Sequence, residues 1–187
     1  MIRDEGPGQP DRLQRLWSPH RMSYITAAPR AGSGNGDGAD SSAKSVHPFI
    51  DIPRMSDESG LMVARGDTVY AVLNLYPYNP GHAMIVPYRQ VADLEDLTEA
   101  ESRELMVFTQ KMIRAIKSVS NPDAFNVGLN LGTAAGGSLA EHLHQHVVPR
   151  WGGDANFITV IGETKVMPQL LRDTRALLAE AWLKLQD

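Results

Sequence analysis

The 187-residue chain contains no cysteine. Disulfides, thiolate zinc sites, iron–sulfur clusters and cysteine nucleophiles are all excluded by that single absence. The chain also lacks any apolar run of about 20 residues, the length needed to span a bilayer. Residues 1–15 are polar and of mixed charge, so they do not read as the apolar core of a signal peptide, and a cytoplasmic location is expected. Excess positive charge is missing too. A net charge of −4 argues against a protein that coats nucleic acid by counterion release. A polyanionic ligand would have to be held by local donors rather than by the field of the whole protein. What remains is ordinary globular composition, 42% hydrophobic and 21% charged, with enough length for one self-supporting core.

Residues 31–45 hold four glycines and four serines and almost nothing apolar, which predicts a flexible linker over 31–47. The segment before it, 1–30, carries Leu16, Trp17, Met22 and Tyr24. It reads either as a clasp that packs on the main domain or as a disordered tail. The main domain is expected over 48–187. Thr68 to Asn74 and Ala83 to Tyr88 read as strands joined by the proline- and glycine-bearing turn 76–81. Thr98 and Glu101 form a capping box, followed at helical spacing by Leu105, Phe108, Met112, Ile116 and Val119. Phe125 to Asn130 predicts a third strand and His142 to Val148 a fourth. A last helix is expected after Pro168, with Leu170, Thr174, Leu177, Ala181 and Leu185 on one face. The order β-β-α-β-β-α points to an α+β fold with a mainly antiparallel sheet.

Three of the six histidines fall within five residues, at His142, His144 and His146. On a strand, alternate side chains share a face, so the three imidazoles are expected on one side and Leu143, Gln145 and Val147 on the other. Neutral imidazole is a competent nucleophile toward phosphorus, and neighbouring rings can donate to the developing oxyanions. Two other readings fit the same spacing: three zinc ligands with an open water position, or three satisfied structural histidines. The glycine-rich loop at Gly136, Gly137 and Ser138 favours phosphate chemistry, because its backbone N–H groups can cradle anionic oxygens. Ser138 adds a hydroxyl and Asn130 an amide. Arg150 is a candidate phosphate contact or an ordinary surface arginine. Trp151 is a candidate base-stacking or interface residue, or part of the core. His82 either assists the site or bonds backbone at a turn.

These motifs resemble the histidine-triad family. The run His142-Leu-His144-Gln-His146-Val-Val matches its His-x-His-x-His signature followed by apolar residues. Asn74, the segment Asn79-Pro-Gly-His82, Gly137-Ser138 and the stretch from His146 to Asp154 fit the family pattern as well. Leu16 to Tyr24 looks like the N-terminal signature of one bacterial subgroup. The resemblance implies a five-stranded antiparallel sheet with helices, a homodimer or larger homo-oligomer, and chemistry that needs no catalytic metal. Mg2+ would accompany the nucleotide at most. His144 would be the nucleophile, with His142 and His146 orienting it and bonding phosphate oxygens. Asn74 would meet the ribose, and Asn130, Gly137 and Ser138 the phosphates. The implied activity is phosphorolysis of a dinucleoside polyphosphate: diadenosine tetraphosphate plus inorganic phosphate gives ATP and ADP. The alternative is hydrolysis of such compounds, or of other AMP-linked molecules, by a relative of the same family. Neither nucleic acid nor membrane is an expected partner. Two positions depart from the pattern. His47-Pro-Phe-Ile50 stands where many relatives carry a Cys-x-x-Cys zinc knuckle, and Gln145 stands where an apolar residue is common.

Overall fold

A computed structural model describes residues 47–136, 139–154, 157–162 and 166–185, without the side chains of residues 159 and 160. The expectations for the 1–30 segment and for 31–46 of the linker lie outside the described residues. The described chain opens with a short helix α1 (Pro48–Asp51), followed by strands β1 (Met62–Arg65), β2 (Val69–Leu73) and β3 (Ala83–Pro87). The long helix α2 (Glu99–Ser120) precedes β4 (Ala124–Leu129) and β5 (Gln145–Arg150), and α3 (Phe157–Ile161) and α4 (Leu171–Lys184) complete it. The five strands form one sheet in the order β1-β2-β3-β5-β4, antiparallel throughout. This is the expected α+β architecture. The strand carrying the last triad histidine is inserted between β3 and β4, so it occupies the interior of the sheet rather than an edge.

The alternation of β2 and β3 separates two apolar layers. Val69, Ala71, Leu73, Ala83, Ile85 and Val147 pack with Leu105, Phe108, Met112 and Ile116 of α2 and with Leu178 and Trp182 of α4. Tyr70, Val72, Met84 and Val86 point the other way and pack with Phe49 of α1. Every residue of β2 and β3 is consequently buried, which explains their continuous apolar runs. Helix α2 begins at the expected capping box: Thr98 accepts from the Glu101 N–H, and the Glu101 carboxylate accepts from the Thr98 N–H. Arg89, just past β3, donates two hydrogen bonds to that carboxylate. The helix stops at Asn121, which adopts the left-handed conformation at φ 44°.

Some expectations shift. Val119 is 40% exposed and lies off the buried stripe of α2, and on α4 the buried positions are Thr174, Leu178, Ala181 and Trp182 rather than Leu170 and Leu177. The face is rotated because Trp182 reaches Phe108, with ring centroids 4.8 Å apart. Strand β1 was not legible in the residue pattern, since four residues are too few for alternation to stand out.

The turn joining β1 to β2 is held by one carboxylate from α2. Glu104 accepts from the backbone N–H groups of Asp67, Thr68 and Val69 and from the Thr68 hydroxyl. Burial opposes the ionised form, yet these bonds outweigh it and hold the Glu104 carboxyl below its ordinary value. Gly66 makes the approach feasible: a Cβ there would sit 2.4 Å from Glu104 Oε1 and 2.7 Å from Phe108 Cζ. Replacing Gly66 by Ala is expected to lower the unfolding free energy by about 1–3 kcal/mol. Urea unfolding followed by circular dichroism checks this, and an unchanged midpoint would show that Glu104 and Phe108 yield to the added methyl without cost.

Candidate active site

The triad does not lie wholly on a strand. Pairing between β3 and β5 runs from Ala83 opposite Val147 to Ile85 opposite Gln145, and His146 faces Met84. Continuing that register would set Pro87 against Leu143. Proline has no N–H to give, so the ladder ends and the chain upstream of Gln145 leaves the sheet, with a bend at His142. His142 and His144 therefore precede β5, a correction to the expected strand from His142 to Val148. The facing pattern nevertheless survives. Leu143 and Val147 enter the layer against α2, and the Gln145 amide donates to the Thr109 hydroxyl at 2.6 Å. Gln145 thus has a packing role remote from the imidazoles, as expected for its parity.

Hydrogen bonds dictate which nitrogen of each ring is free. His142 Nε2 lies 2.8 Å from the Pro87 carbonyl, so that nitrogen carries the proton. His144 Nδ1 lies 2.9 Å from the His142 carbonyl and carries the proton for the same reason. The lone pair of neutral His144 is then on Nε2. His146 packs edge-on to His144, with ring centroids 5.0 Å apart. Its Nδ1 lies 2.9 Å from His82 Nε2, and the Asn130 amide comes within 3.5 Å of its Nε2. The ring of Phe49 packs on His144 at 4.9 Å and on His142 at 5.6 Å, and the Tyr70 hydroxyl donates to the Phe49 carbonyl at 2.8 Å. Phe49 thereby covers one flank of His142 and His144; a lone aromatic in the sequence carried no signal of that contact.

Two cavities meet at His146. The larger, about 600 Å³, is lined by Phe49, Ile52, Leu61, Met84 and Leu139 at its apolar wall and by Asn74 and His144 at its polar end. The smaller, about 390 Å³, is lined by Asn79, Asn126, Arg150 and Asp154. Tyr78, Asn130 and His146 belong to both. The structure thus brings together His144, His146, Asn74, Asn130, His82 and Arg150 of the sequence-derived candidates, with His142 directly behind. Trp151 lines neither cavity. Gly137 and Ser138 lie outside the described residues. Arg150 is held by both carboxylate oxygens of Asp154 and by Asn126, so its charge is largely balanced where it stands. Tyr78 was missed because it sits in a turn whose prolines dominate the pattern.

The residues at the Cys-x-x-Cys position do not fit a zinc knuckle. His47 Nδ1 accepts from the Phe49 N–H as the N-cap of α1, and Ile50 offers no donor atom. Among the described residues, no group of three or more His, Cys, Asp or Glu is arranged to hold a metal ion.

Burial favours the neutral forms of His82, His142 and His146. It depresses His82 to about 3, with His146 and His144 adding to the effect, and depresses His146 to about 4, with His144 adding. His142 is also lowered, chiefly by burial. These groups have folded values below their unfolded ones, so the unfolded chain takes up protons first as pH falls. Their contribution is intact above about pH 6.5 and is lost progressively below it. Unfolding free energy is expected to fall between pH 7 and pH 4, and less steeply in a His82→Gln variant. Urea titrations at several pH values measure both slopes; parallel slopes would show that His82 is not held neutral by the fold.

Known proteins place this geometry. A family model described as the HIT domain matches residues 57–153. A Mycobacterium tuberculosis protein named AP-4-A phosphorylase is 68% identical over 183 residues, covering 98% of this chain and 91% of that protein. A Schizosaccharomyces pombe protein named bis(5'-nucleosyl)-tetraphosphatase [asymmetrical] is 37% identical over 84 residues, or 45% of this chain and 46% of its own length. Among solved structures, a Zn-bound histidine triad family protein from Mycobacterium smegmatis superposes with a TM-score of 0.56 at 25% identity, covering 68% of this chain and 89% of that one. The model match over more than half of the sequence, with the near-full-length likeness beside it, establishes that the chain belongs to the HIT domain family.

Proposed function

We propose that the protein is a dinucleoside polyphosphate phosphorylase that converts diadenosine tetraphosphate and inorganic phosphate into ATP and ADP through a nucleotidyl-histidine. The observation that carries the chemistry is the bond from His144 Nδ1 to the His142 carbonyl, which leaves Nε2 as the free lone pair. Attack by Nε2 on the α-phosphorus forms the P–N bond and breaks the P–O bond to the polyphosphate, whose oxygen keeps the electron pair. Imidazole becomes cationic in that step, and the His142 carbonyl dipole stabilises the charge through the same hydrogen bond. Phosphate then displaces the imidazole, giving ADP and restoring neutral His144. The likeness to the mycobacterial AP-4-A phosphorylase supports phosphate rather than water as the second nucleophile.

Substrate placement follows from the two cavities. The apolar cavity accepts the base between Phe49, Ile52 and Leu61, and Asn74 meets the ribose. The leaving polyphosphate departs past His146 and Asn130 toward the smaller cavity, one wall of which is Arg150 in its pair with Asp154, and inorganic phosphate enters by the same route. Gly137 and Ser138 are assigned to the phosphates by the resemblance, and Mg2+ accompanies the substrate if it is needed. Trp151, absent from both cavity walls, serves at an interface. That interface is the homodimer made by β4, an edge strand whose Val127 is 45% exposed and whose outer side has no strand partner among the described residues.

Product analysis of diadenosine tetraphosphate turnover tests the reading. ATP and ADP are expected only when inorganic phosphate is present, and His144→Ala is expected to lower turnover by about three orders of magnitude or more. ATP and AMP regardless of phosphate would make the protein a hydrolase and sink the phosphorylase assignment while leaving the histidine chemistry standing.

A further inference from the structure

Tyr78 is exposed, yet it is held in place from both sides. It is 57% exposed in the turn between β2 and β3, with Pro77 before it and Pro80 two residues on. The proline rings fix φ at their own positions and confine the residues that precede them. The Tyr78 backbone N–H donates to His82 Nδ1 at 3.1 Å. The next residue, Asn79, is 3% exposed and donates to the Pro149 carbonyl at 2.9 Å and to Asp154 Oδ2 at 2.7 Å. The Tyr78 ring packs on His82 with centroids 4.6 Å apart. It also lies nearly parallel to His146, with 5.9 Å between centroids and 25° between planes. The exposed part of the ring is therefore the part turned away from these two histidines. Tyr78 lines both cavities, so that open face borders the route leading from His144 past His146.

We infer that the outer face of Tyr78 is a stacking platform for the second adenine of the substrate, the base carried by the leaving nucleotide. The inference rests on the proposed reaction, in which the first adenosine fills the larger cavity and its α-phosphorus meets His144 Nε2. The polyphosphate then passes His146, and the next ring along that line is Tyr78: His144, His146 and Tyr78 follow one another at 5.0 Å and 5.9 Å. A chain of four phosphates is flexible and longer than two ring contacts, so the second nucleoside reaches that face without strain. Arg150, the cation on the wall of the smaller cavity, is already paired with Asp154. Grip on the leaving half therefore falls to a group that binds a neutral base, and stacking needs no charge. The turn is fixed before the ligand arrives, so little freedom is lost when the base settles on it. The consequence is selectivity: a polyphosphate chain capped by a second nucleoside is preferred to one without it. A tyrosine merely left on the surface of a turn would share the exposure but would not make turnover depend on the second base.

Two substrates test this on the full chain: diadenosine tetraphosphate, and the methyl ester of adenosine 5'-tetraphosphate, which keeps the charge and the scissile bond but lacks the second nucleoside. Wild-type kcat/KM is expected to favour the dinucleotide on the order of 10-fold, through KM rather than kcat. Tyr78→Ala is expected to abolish that preference, apart from the statistical advantage of a substrate with two equivalent ends, and Tyr78→Trp to keep it. Loss from disturbed packing on His82 and His146 would fall on both substrates and leave their ratio as it was. A preference that persists in Tyr78→Ala, with both substrates slowed alike, would assign Tyr78 to packing and overturn the inference. Should Tyr78→Ala fail to fold, Tyr78→Leu takes its place, since it keeps bulk against His82 while removing the aromatic face. The wild type gives a check that needs no variant. Replacing the second adenine by uracil, and then by the methyl cap, is expected to raise KM in two steps, counting only products of attack at the adenosine end. Equal KM values for all three would also overturn the platform. Whether ATP appears with ADP or with AMP decides the proposed function separately, because the substrate ratio is read whichever nucleophile completes the cycle.

Discussion

The site depends on a strand ladder that ends early. Pro87 has no N–H with which to continue pairing toward Leu143, and two bonds follow from that. The Leu143 N–H turns to the Val91 carbonyl at 2.6 Å, and the Pro87 carbonyl becomes free to accept from His142 Nε2. In an unbroken ladder, the Leu143 N–H would take the Pro87 carbonyl. The interruption thus converts a main-chain acceptor into a device that chooses the His142 tautomer. It also leaves His146 as the one triad histidine on a paired strand, where its backbone is fixed between Met84 and Gly128.

Rigidity behind the histidines comes from the alternation of the same segment. Leu143, Gln145 and Val147 face α2, and the Gln145–Thr109 bond satisfies the one polar group that this face carries inward. A buried amide without a partner costs about 1–3 kcal/mol, so the satisfied bond makes Gln145 tolerable where an apolar residue would pack more simply. On the opposite face, α1 holds Phe49 against His142 and His144, and the Tyr70 hydroxyl anchors α1 by its backbone. His142 and His144 are therefore clamped between an apolar layer below and an aromatic ring above. In the proposed reaction, such clamping removes rotamer freedom that would otherwise have to be lost in the transition state.

Much of this was legible in sequence because it rests on short-range rules. The capping box at Thr98 and Glu101, the apolar runs of β2 and β3 and the parity of the triad are local patterns with local causes. What could not be read depends on register and on distant groups. The ladder's end at Pro87 appears only once β3 and β5 are paired. The Glu104 carboxylate under the β1–β2 turn lies 35 to 37 residues from the groups it satisfies, and no pattern links them. Phe49 is a single aromatic near a short helix, and its contact with His144 exists only in three dimensions. His82 was visible as a histidine in a Pro-Gly-His turn, but its pairing with His146, 64 residues on, exists only in three dimensions.

Neutrality of the site explains how a chain with net charge −4 can act on a polyanion. Burial favours the uncharged forms of His82, His142 and His146, and Arg150 already meets Asp154, so the ground state offers N–H donors but little free positive charge. In the proposed reaction, a fixed cation beside His144 would repel the imidazolium formed on attack, and in a partly buried site that repulsion would be poorly screened. A neutral site would instead reserve positive charge for the moment of P–N bond formation, when the proposed attack puts it on His144 itself beside the phosphate oxygens. The attraction between that new imidazolium and the substrate's own charge exists only from the transition state onward. It therefore stabilises the transition state without tightening the ground-state complex, which is the condition for faster chemistry rather than mere binding.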